Sequence, residues 1–283
     1  MMLSIITINY NNKEGLRCTI ESVVNQTCTD YEFIIIDGGS TDGSVDIIKQ
    51  YENKITYWVS EKDRGIYNAM NKGIAVSKGD YCNFLNSGDT LANNNVLSIV
   101  MPQINGKDIY IGNACCMSFS NGQEVFKCIW KSPSEISMKN LFIATPNHQA
   151  TIIKTKLMKD IGYNESYKIL SDFEFFMEAL IRRNCKYEKL DITIVKYLLG
   201  GTSTQDRKHF NYERNEILHR YLSPRVINDY DSIYTHPSKM IKLTRYNMQF
   251  PIACTLSKIA LAVISIPFRC IRYTQSMINK LKK

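Results

Sequence analysis

Leu3-Ser4-Ile5-Ile6-Thr7-Ile8-Asn9-Tyr10-Asn11 opens the chain with an apolar, β-branched run that stops abruptly on polar residues. Leu3 to Ile8 is too short for a signal peptide and has no basic lead, so it reads as a first strand of a cytoplasmic protein. Outward from it the same unit recurs. Glu14 to Gln26 has helical patterning, Glu32 to Ile36 is a strand, Ser44 to Tyr51 a helix, Ile55 to Val59 a strand, Tyr67 to Ser77 a helix and Tyr81 to Leu85 a strand. Strands alternating with helices predict an α/β fold, a mostly parallel twisted sheet flanked by helices. In such sheets ligands bind outside the carboxyl ends of the strands. The chemistry is therefore expected in the loops Asn9 to Asn12, Asp37 to Asp42, Ser60 to Ile66 and Asn86 to Asp89.

The pattern changes near residue 108. Asn121-Gly122 between Cys115 to Phe119 and Glu124 to Trp130 signals a hairpin, Ala150 to Ile153 and Ile192 to Tyr197 read as strands, and Ser171 to Arg183 carries an apolar helical stripe that leaves Asp172 off the buried face. A break near residue 206 divides an α/β body, 1–205 with halves 1–107 and 108–205, from a helical, basic C-terminal extension, 206–283.

The net charge of +8 belongs to that extension. Nine of the 35 basic side chains follow Asp231 and no acidic one does, which leaves 26 basic against 27 acidic groups in the first 231 residues. A neutral body without interleaved basic and aromatic residues argues against nucleic-acid binding. The nine cysteines form no C-x-x-C pair and read as reduced thiols. In the tail, Lys258, Ser265, Arg269, Arg272, Ser276, Lys280 and Lys283 fall on one helical stripe opposite Leu256, Val263, Ile271, Ile278 and Leu281. Pro251 to Phe268 is too short and interrupted for a spanning helix, so an element lying on an anionic membrane surface is expected, kinked at Pro267. Packing on the body or a partner subunit is the alternative.

Asn86-Ser87-Gly88-Asp89 leaves an apolar strand, so Asp89 projects into the crevice beside a flexible glycine. A hard divalent cation takes carboxylate oxygen and keeps positions open for phosphate and water. His148, in Thr145-Pro146-Asn147-His148-Gln149, is a polar candidate just before a strand. Asp172 stands at the start of a helix, where a carboxylate also serves as a cap; Ser171 is the expected cap.

These segments, with Glu21-Ser22-Val23-Val24-Asn25-Gln26-Thr27, Ile36-Asp37-Gly38-Gly39-Ser40-Thr41-Asp42-Gly43, Asp63-Arg64-Gly65-Ile66-Tyr67-Asn68-Ala69-Met70-Asn71-Lys72-Gly73 and Lys78-Gly79-Asp80-Tyr81, closely resemble family 2 glycosyltransferases in order and spacing. The resemblance covers residues 3 to 89 and extends more weakly to about 205. It implies a GT-A fold and an inverting glycosyltransferase that uses a nucleoside diphosphate sugar, UDP-linked by expectation, with Mn2+ or Mg2+. Thr7, Asn9 and Asp37 resemble nucleoside contacts, and Arg64 a base or phosphate contact. Asn86 and Ser87 are matched to the nucleotide sugar, Asp89 to the metal and Asp172 to the catalytic base. Glu174 is the fallback base and, with His148, a possible donor or acceptor contact. Gly38 stands where the family has a second acidic residue, which loosens the uridine expectation. Asn86 to Asp89 offers one charged ligand where the family's Asp-x-Asp offers two, a form similar to that of a branch in bacterial polysaccharide assembly. The acceptor expected is a saccharide or, from the basic tail, a lipid-linked saccharide at the inner face of the plasma membrane. Gly200-Gly201-Thr202-Ser203 resembles a loop that closes over the donor. The alternatives are a non-catalytic nucleotide-sugar or polysaccharide-binding protein and another nucleotide-binding transferase.

Overall fold

β1 (Leu3–Asn9) is buried along its whole length, and it lies between two parallel neighbours, β2 (Tyr31–Asp37) and β4 (Tyr81–Phe84). Helices cover its faces. α1 (Lys13–Val24) buries Leu16, Thr19, Ile20 and Val23, one stripe at helical spacing, and is capped by the Asn12 side chain. α3 (Ile66–Val76) approaches β1 closely because residue 73 is glycine: a Cβ there would stand 2.4 Å from Ile6 Cγ2. β3 (Tyr57–Ser60) adds to β2 in parallel. It begins two residues later than the sequence suggests, because Glu52–Lys54 closes a 3-10 turn after α2 (Ser44–Gln50).

The second half folds onto the same sheet. β5 (Thr90–Leu91) and α4 (Val96–Val100) lead to β6 (Ile109–Ser120) and β7 (Gln123–Trp130), an antiparallel pair with a register shift after Cys116. After α5 (Met138–Ile143) come β8 (Thr151–Lys154), α6 (Thr155–Ile161), α7 (Ser171–Phe176), which runs on as a π-helical segment to Arg182, and β9 (Tyr187–Leu198). The sheet order is β3-β2-β1-β4-β8-β6-β9-β5, with β7 beside β6. Its first four strands are parallel, β8 is antiparallel to both β4 and β6, and β9 is parallel to β6. This is the mixed, largely parallel α/β sheet expected of a GT-A fold. Leu3, Ile5, Phe33, Ile35, Ile47, Tyr110, Ile152 and Ile194 belong to one core cluster that joins the two halves.

The computed structural model describes residues 1–120, 123–199, 206–235 and 255. Asn121-Gly122, Gly200 to Ser203 and the basic stripe of the tail lie outside the described residues. By internal packing the chain divides into Met1–Leu222 and Ser223–Lys283. α8 (Arg207–Tyr221), which follows the sequence break at 206, falls in the first unit, and Ile217 and Leu218 on it are buried. Of the second unit, α9 (Pro224–Tyr234) starts on proline, which suits the first helical position. No helix among the described residues is long and apolar enough to cross a membrane. Cys28, Cys82, Cys115, Cys116, Cys128 and Cys185 are free thiols.

Candidate active site

Parallel register sets the first wall of the site. Asn9 at the end of β1 is level with Asp37 at the end of β2, and Asp37 with Ser60 at the end of β3. Asp37 is fully buried and accepts hydrogen bonds from Asn9 Nδ2 (2.7 Å), Ser60 Oγ (2.6 Å), Ser40 N (2.9 Å) and Ser40 Oγ (2.5 Å). Burial by itself would raise its pKa, but the bonds from Ser40, Ser60 and Asn9 outweigh burial and hold the carboxyl below the usual carboxylate range. Thr7 is fully buried as well, its hydroxyl donating to Leu85 O at 2.8 Å. Neither Thr7 nor Asp37 faces the crevice. The Asp37 carboxylate is spent in fixing Asn9 and, through Ser40, the Gly38-Gly39 turn, both of which do, and the Thr7 hydroxyl in tying β1 to Leu85 after β4.

A second wall is the turn after β4. Gly88 adopts φ +101, a conformation that favours glycine. Its N–H donates to Thr19 Oγ1 (2.9 Å), which donates to Asp89 O (2.7 Å), and Asn12 Nδ2 donates to Ser87 O (2.9 Å). α1 thus clamps the turn at both ends. The Asp89 side chain points inward with Oδ2 accepting from Gln149 Nε2 at 3.1 Å. Burial pushes its pKa up to about 6, against the opposing pull of His148 and Gln149.

Antiparallel pairing of β4 with β8 explains why residues 86 and 148 meet. Asn83 is opposite Ile152, so a residue just past the end of β4 returns beside one just before the start of β8. His148 Nε2 lies 3.3 Å from Asn86 Nδ2, and His148 Nδ1 lies 3.2 Å from Asp172 Oδ2. A neutral imidazole with its proton on Nδ1 satisfies both contacts, donating to Asp172 and accepting from Asn86. Asp172 Oδ1 accepts the Phe173 N–H at 2.8 Å. Ser171 is not the helix cap that the sequence suggests. The cap position is Leu170, and the Ser171 hydroxyl instead accepts the Asn164 N–H at 2.6 Å.

The walls enclose a cavity of about 1090 Å³. Of the residues singled out in the sequence, Asn9, Asn86, Ser87, Asp89, His148 and Asp172 line it. Thr7, Asp37, Arg64 and Glu174 do not. Arg64 is 80% exposed and pairs with Glu165 at 2.9 Å. Glu174 is buried against Asn164 Nδ2 (3.0 Å) and the Arg220 guanidinium, which removes it as a free base and corrects its reading as the fallback. Sequence reasoning gave no individual role to Asn12, Lys62 and Asp63, although they lie in loops it named, and did not single out Gln149 and Lys168; all five are on the lining. Asp63 fills the place left open by Gly38: its Oδ2 is 3.1 Å from where a Cβ on Gly38 would stand. Only the fold brings that carboxylate there, 25 positions along the chain.

Among the described residues no group of three His, Cys, Asp or Glu side chains is arranged to hold a metal ion. The donor set at the turn nevertheless suits an open cation site. It combines the buried Asp89 carboxylate with Asn86 Oδ1, a buried oxygen that has no hydrogen-bond partner.

The family model described as "Glycosyl transferase family 2" matches residues 4–152. An uncharacterized glycosyltransferase of Mycobacterium tuberculosis is 33% identical over 184 residues, 63% of this chain and 69% of that protein. Among solved structures, Staphylococcus aureus TarS in complex with UDP superposes with TM-score 0.60 at 21% identity, over 77% of this chain and 65% of that one. A mannosyltransferase of Pyrobaculum calidifontis, in complex with GDP-Man and Mn2+, superposes with TM-score 0.51 at 14% identity, over 98% and 79% of the two chains.

Proposed function

The chain belongs to glycosyltransferase family 2, and from that premise we propose that it moves a sugar from a nucleoside diphosphate sugar, UDP-linked in the first instance, to an acceptor hydroxyl with inversion at the anomeric carbon. One observation carries the reading. Asp89 from the first half and Asp172 from the second line one cavity, and Asn86 and His148 join their two walls by hydrogen bonds. Asp172 Oδ2 takes the proton of the acceptor hydroxyl as that oxygen attacks the anomeric carbon and the bond to the nucleoside diphosphate breaks. His148, donating from Nδ1, holds the carboxylate toward the cavity. Asn9, Gly38 and Asp63 bound the end of the cavity suited to the nucleoside, and Lys62 supplies positive charge for phosphate. Asp89 and Asn86 Oδ1 would hold a divalent metal, which when bound offsets negative charge on the leaving diphosphate. The UDP bound to TarS and the Mn2+ in the mannosyltransferase support the donor class and the cofactor.

A thermal-shift panel tests this. UDP with Mn2+ near a hundredfold excess over Kd is expected to add about 2.7 kcal/mol, a rise of roughly 5 °C or more. The same nucleotide without metal gives less. No shift with any nucleoside diphosphate, with or without Mn2+, sinks the reading in favour of a saccharide-binding protein. A screen of nucleotide sugars for hydrolysis then identifies the sugar.

The basic tail supports attachment to an anionic membrane surface and thereby a lipid-linked acceptor, since each basic group near such a surface adds about 1 kcal/mol. Deletion of residues 246 to 283 is expected to abolish binding to anionic vesicles and to spare transfer to a soluble acceptor. Vesicle binding that survives the deletion rules the tail out.

A further inference from the structure

We infer that Glu213, on α8 and outside the cavity, is a positioning residue for the transfer step, because it anchors the loop that leads into α7 and Asp172; the inference rests on Asp172 acting as base. Glu213 is 1% exposed. Burying a carboxylate at that depth is costly unless its oxygens are fully engaged, and here they are engaged by backbone. Oε1 accepts the Lys168 N–H at 2.6 Å, and Oε2 accepts the N–H groups of Ile169 (3.0 Å) and Leu170 (2.9 Å). His209 Nε2, one helical turn earlier on α8, lies 2.9 Å from Oε1. A charged acceptor shared by three consecutive amides fixes a segment in position and orientation more firmly than neutral bonds do.

That segment leads directly into the site. Lys168 and Ile169 line the cavity, and Asp172 follows Leu170 by two residues. The loop has no strand partner to occupy these amides. Its other attachments come from the same face of α8. Tyr167 Oη donates to Glu216 (3.1 Å) and accepts from Arg220 Nη2 (3.0 Å), and the Arg220 guanidinium pairs with Glu174. Residues 213, 216 and 220 are spaced by three and four, so one face of α8 grips the chain on both sides of Asp172. Tyr67 Oη on α3 also reaches this stretch, donating to Ile169 O at 2.6 Å. Among the described residues, the polar partners of the Glu213 carboxylate are Lys168, Ile169, Leu170 and His209, none of them on the elements that bear Asn9, Asp37 and Asp89. Disturbing it therefore moves the base and leaves the nucleotide end of the cavity in place.

Glu213→Gln tests this. The amide is isosteric, but its NH2 cannot accept, so at least one of the three backbone N–H groups loses its partner. The expected result is a fall in kcat of roughly 10- to 100-fold, the scale of a misplaced catalytic group, with UDP affinity and donor KM within about twofold of the parent. In an Asp172→Asn background the same substitution produces no further loss, because both changes act through one carboxylate. Wild-type kcat in Glu213→Gln, a parallel loss of UDP affinity, or losses that multiply in the double variant overturn the inference. Wild-type turnover in Asp172→Asn alone instead overturns the assignment of the base, a separate outcome. If Glu213→Gln does not fold, amide exchange in the parent protein decides. The amides of residues 168 to 170 are expected to exchange as slowly as the interior of α8, and exchange as fast as that of exposed Ser166 overturns the anchor.

Discussion

Asp172→Asn is expected to lower transfer by about 10²–10⁴-fold, the usual contribution of a general base. UDP binding is expected to stay within about twofold of the parent, since the lost interaction is made only in the transition state. The asparagine fits the site. Its amide oxygen keeps the Phe173 N–H that Asp172 Oδ1 accepts; its NH2 faces His148 Nδ1, and the imidazole tautomer that accepts it turns an Nε2–H toward Asn86, whose amide turns over to present its oxygen. Asp172 is only partly exposed, 15% for its side chain, and is joined to the turn after β4 through His148 and Asn86. The loss that bears on the transition state is proton acceptance. Single-turnover kinetics with the screened donor, alongside calorimetric UDP titration, separates the two effects. Near-parental turnover eliminates Asp172, and a parallel loss of UDP affinity means that it acts on the donor.

The first half of the site was legible because each strand and the loop after it are contiguous in sequence. Leu3 to Ile8 with Asn9, and Tyr81 to Leu85 with Asn86 to Asp89, each carry both the buried run and the polar stop that marks a carboxyl end. Parallel register then brings those stops together without further information. What was illegible depends on contacts distant in sequence. Nothing local to Asp63 says that it fills the space over Gly38. Nothing local to Glu213 says that it closes the amides of residues 168 to 170, since a glutamate in a polar helix reads as solvated. Ser171 shows the limit from the other direction. The serine-aspartate pair at a helix start looks like a cap, but a competing N–H from Asn164 takes the serine hydroxyl.

Asp89→Asn is expected to abolish the metal dependence of UDP binding and, with it, transfer, while making the metal-free protein more stable at neutral pH. Asp89 is 8% exposed, and the described hydrogen bond to its carboxylate comes from Gln149. Burial is the dominant influence and raises its pKa to about 6, with His148 and Gln149 pulling the other way. A folded-state pKa above the ordinary value of 3.8 means that the native state holds this proton more tightly than the unfolded chain does. Metal-free stability therefore falls as pH rises from about 4 to about 6 and is level above that. Asparagine carries no such penalty, so the variant gains up to about 3 kcal/mol over the parent at pH 7 and loses that slope. A divalent cation relieves the same penalty in the parent by taking the place of the proton. The affinity of the parent for UDP with Mn2+ should accordingly drop by about tenfold per pH unit below about pH 6. Urea denaturation at pH 5 and pH 7 without metal reads the first effect, and UDP titration with and without Mn2+ across the same range reads the second. Unaltered Mn2+ dependence in the variant would place the cation on other groups. A parental pH slope in the variant's stability would mean that a different carboxylate is the strained one.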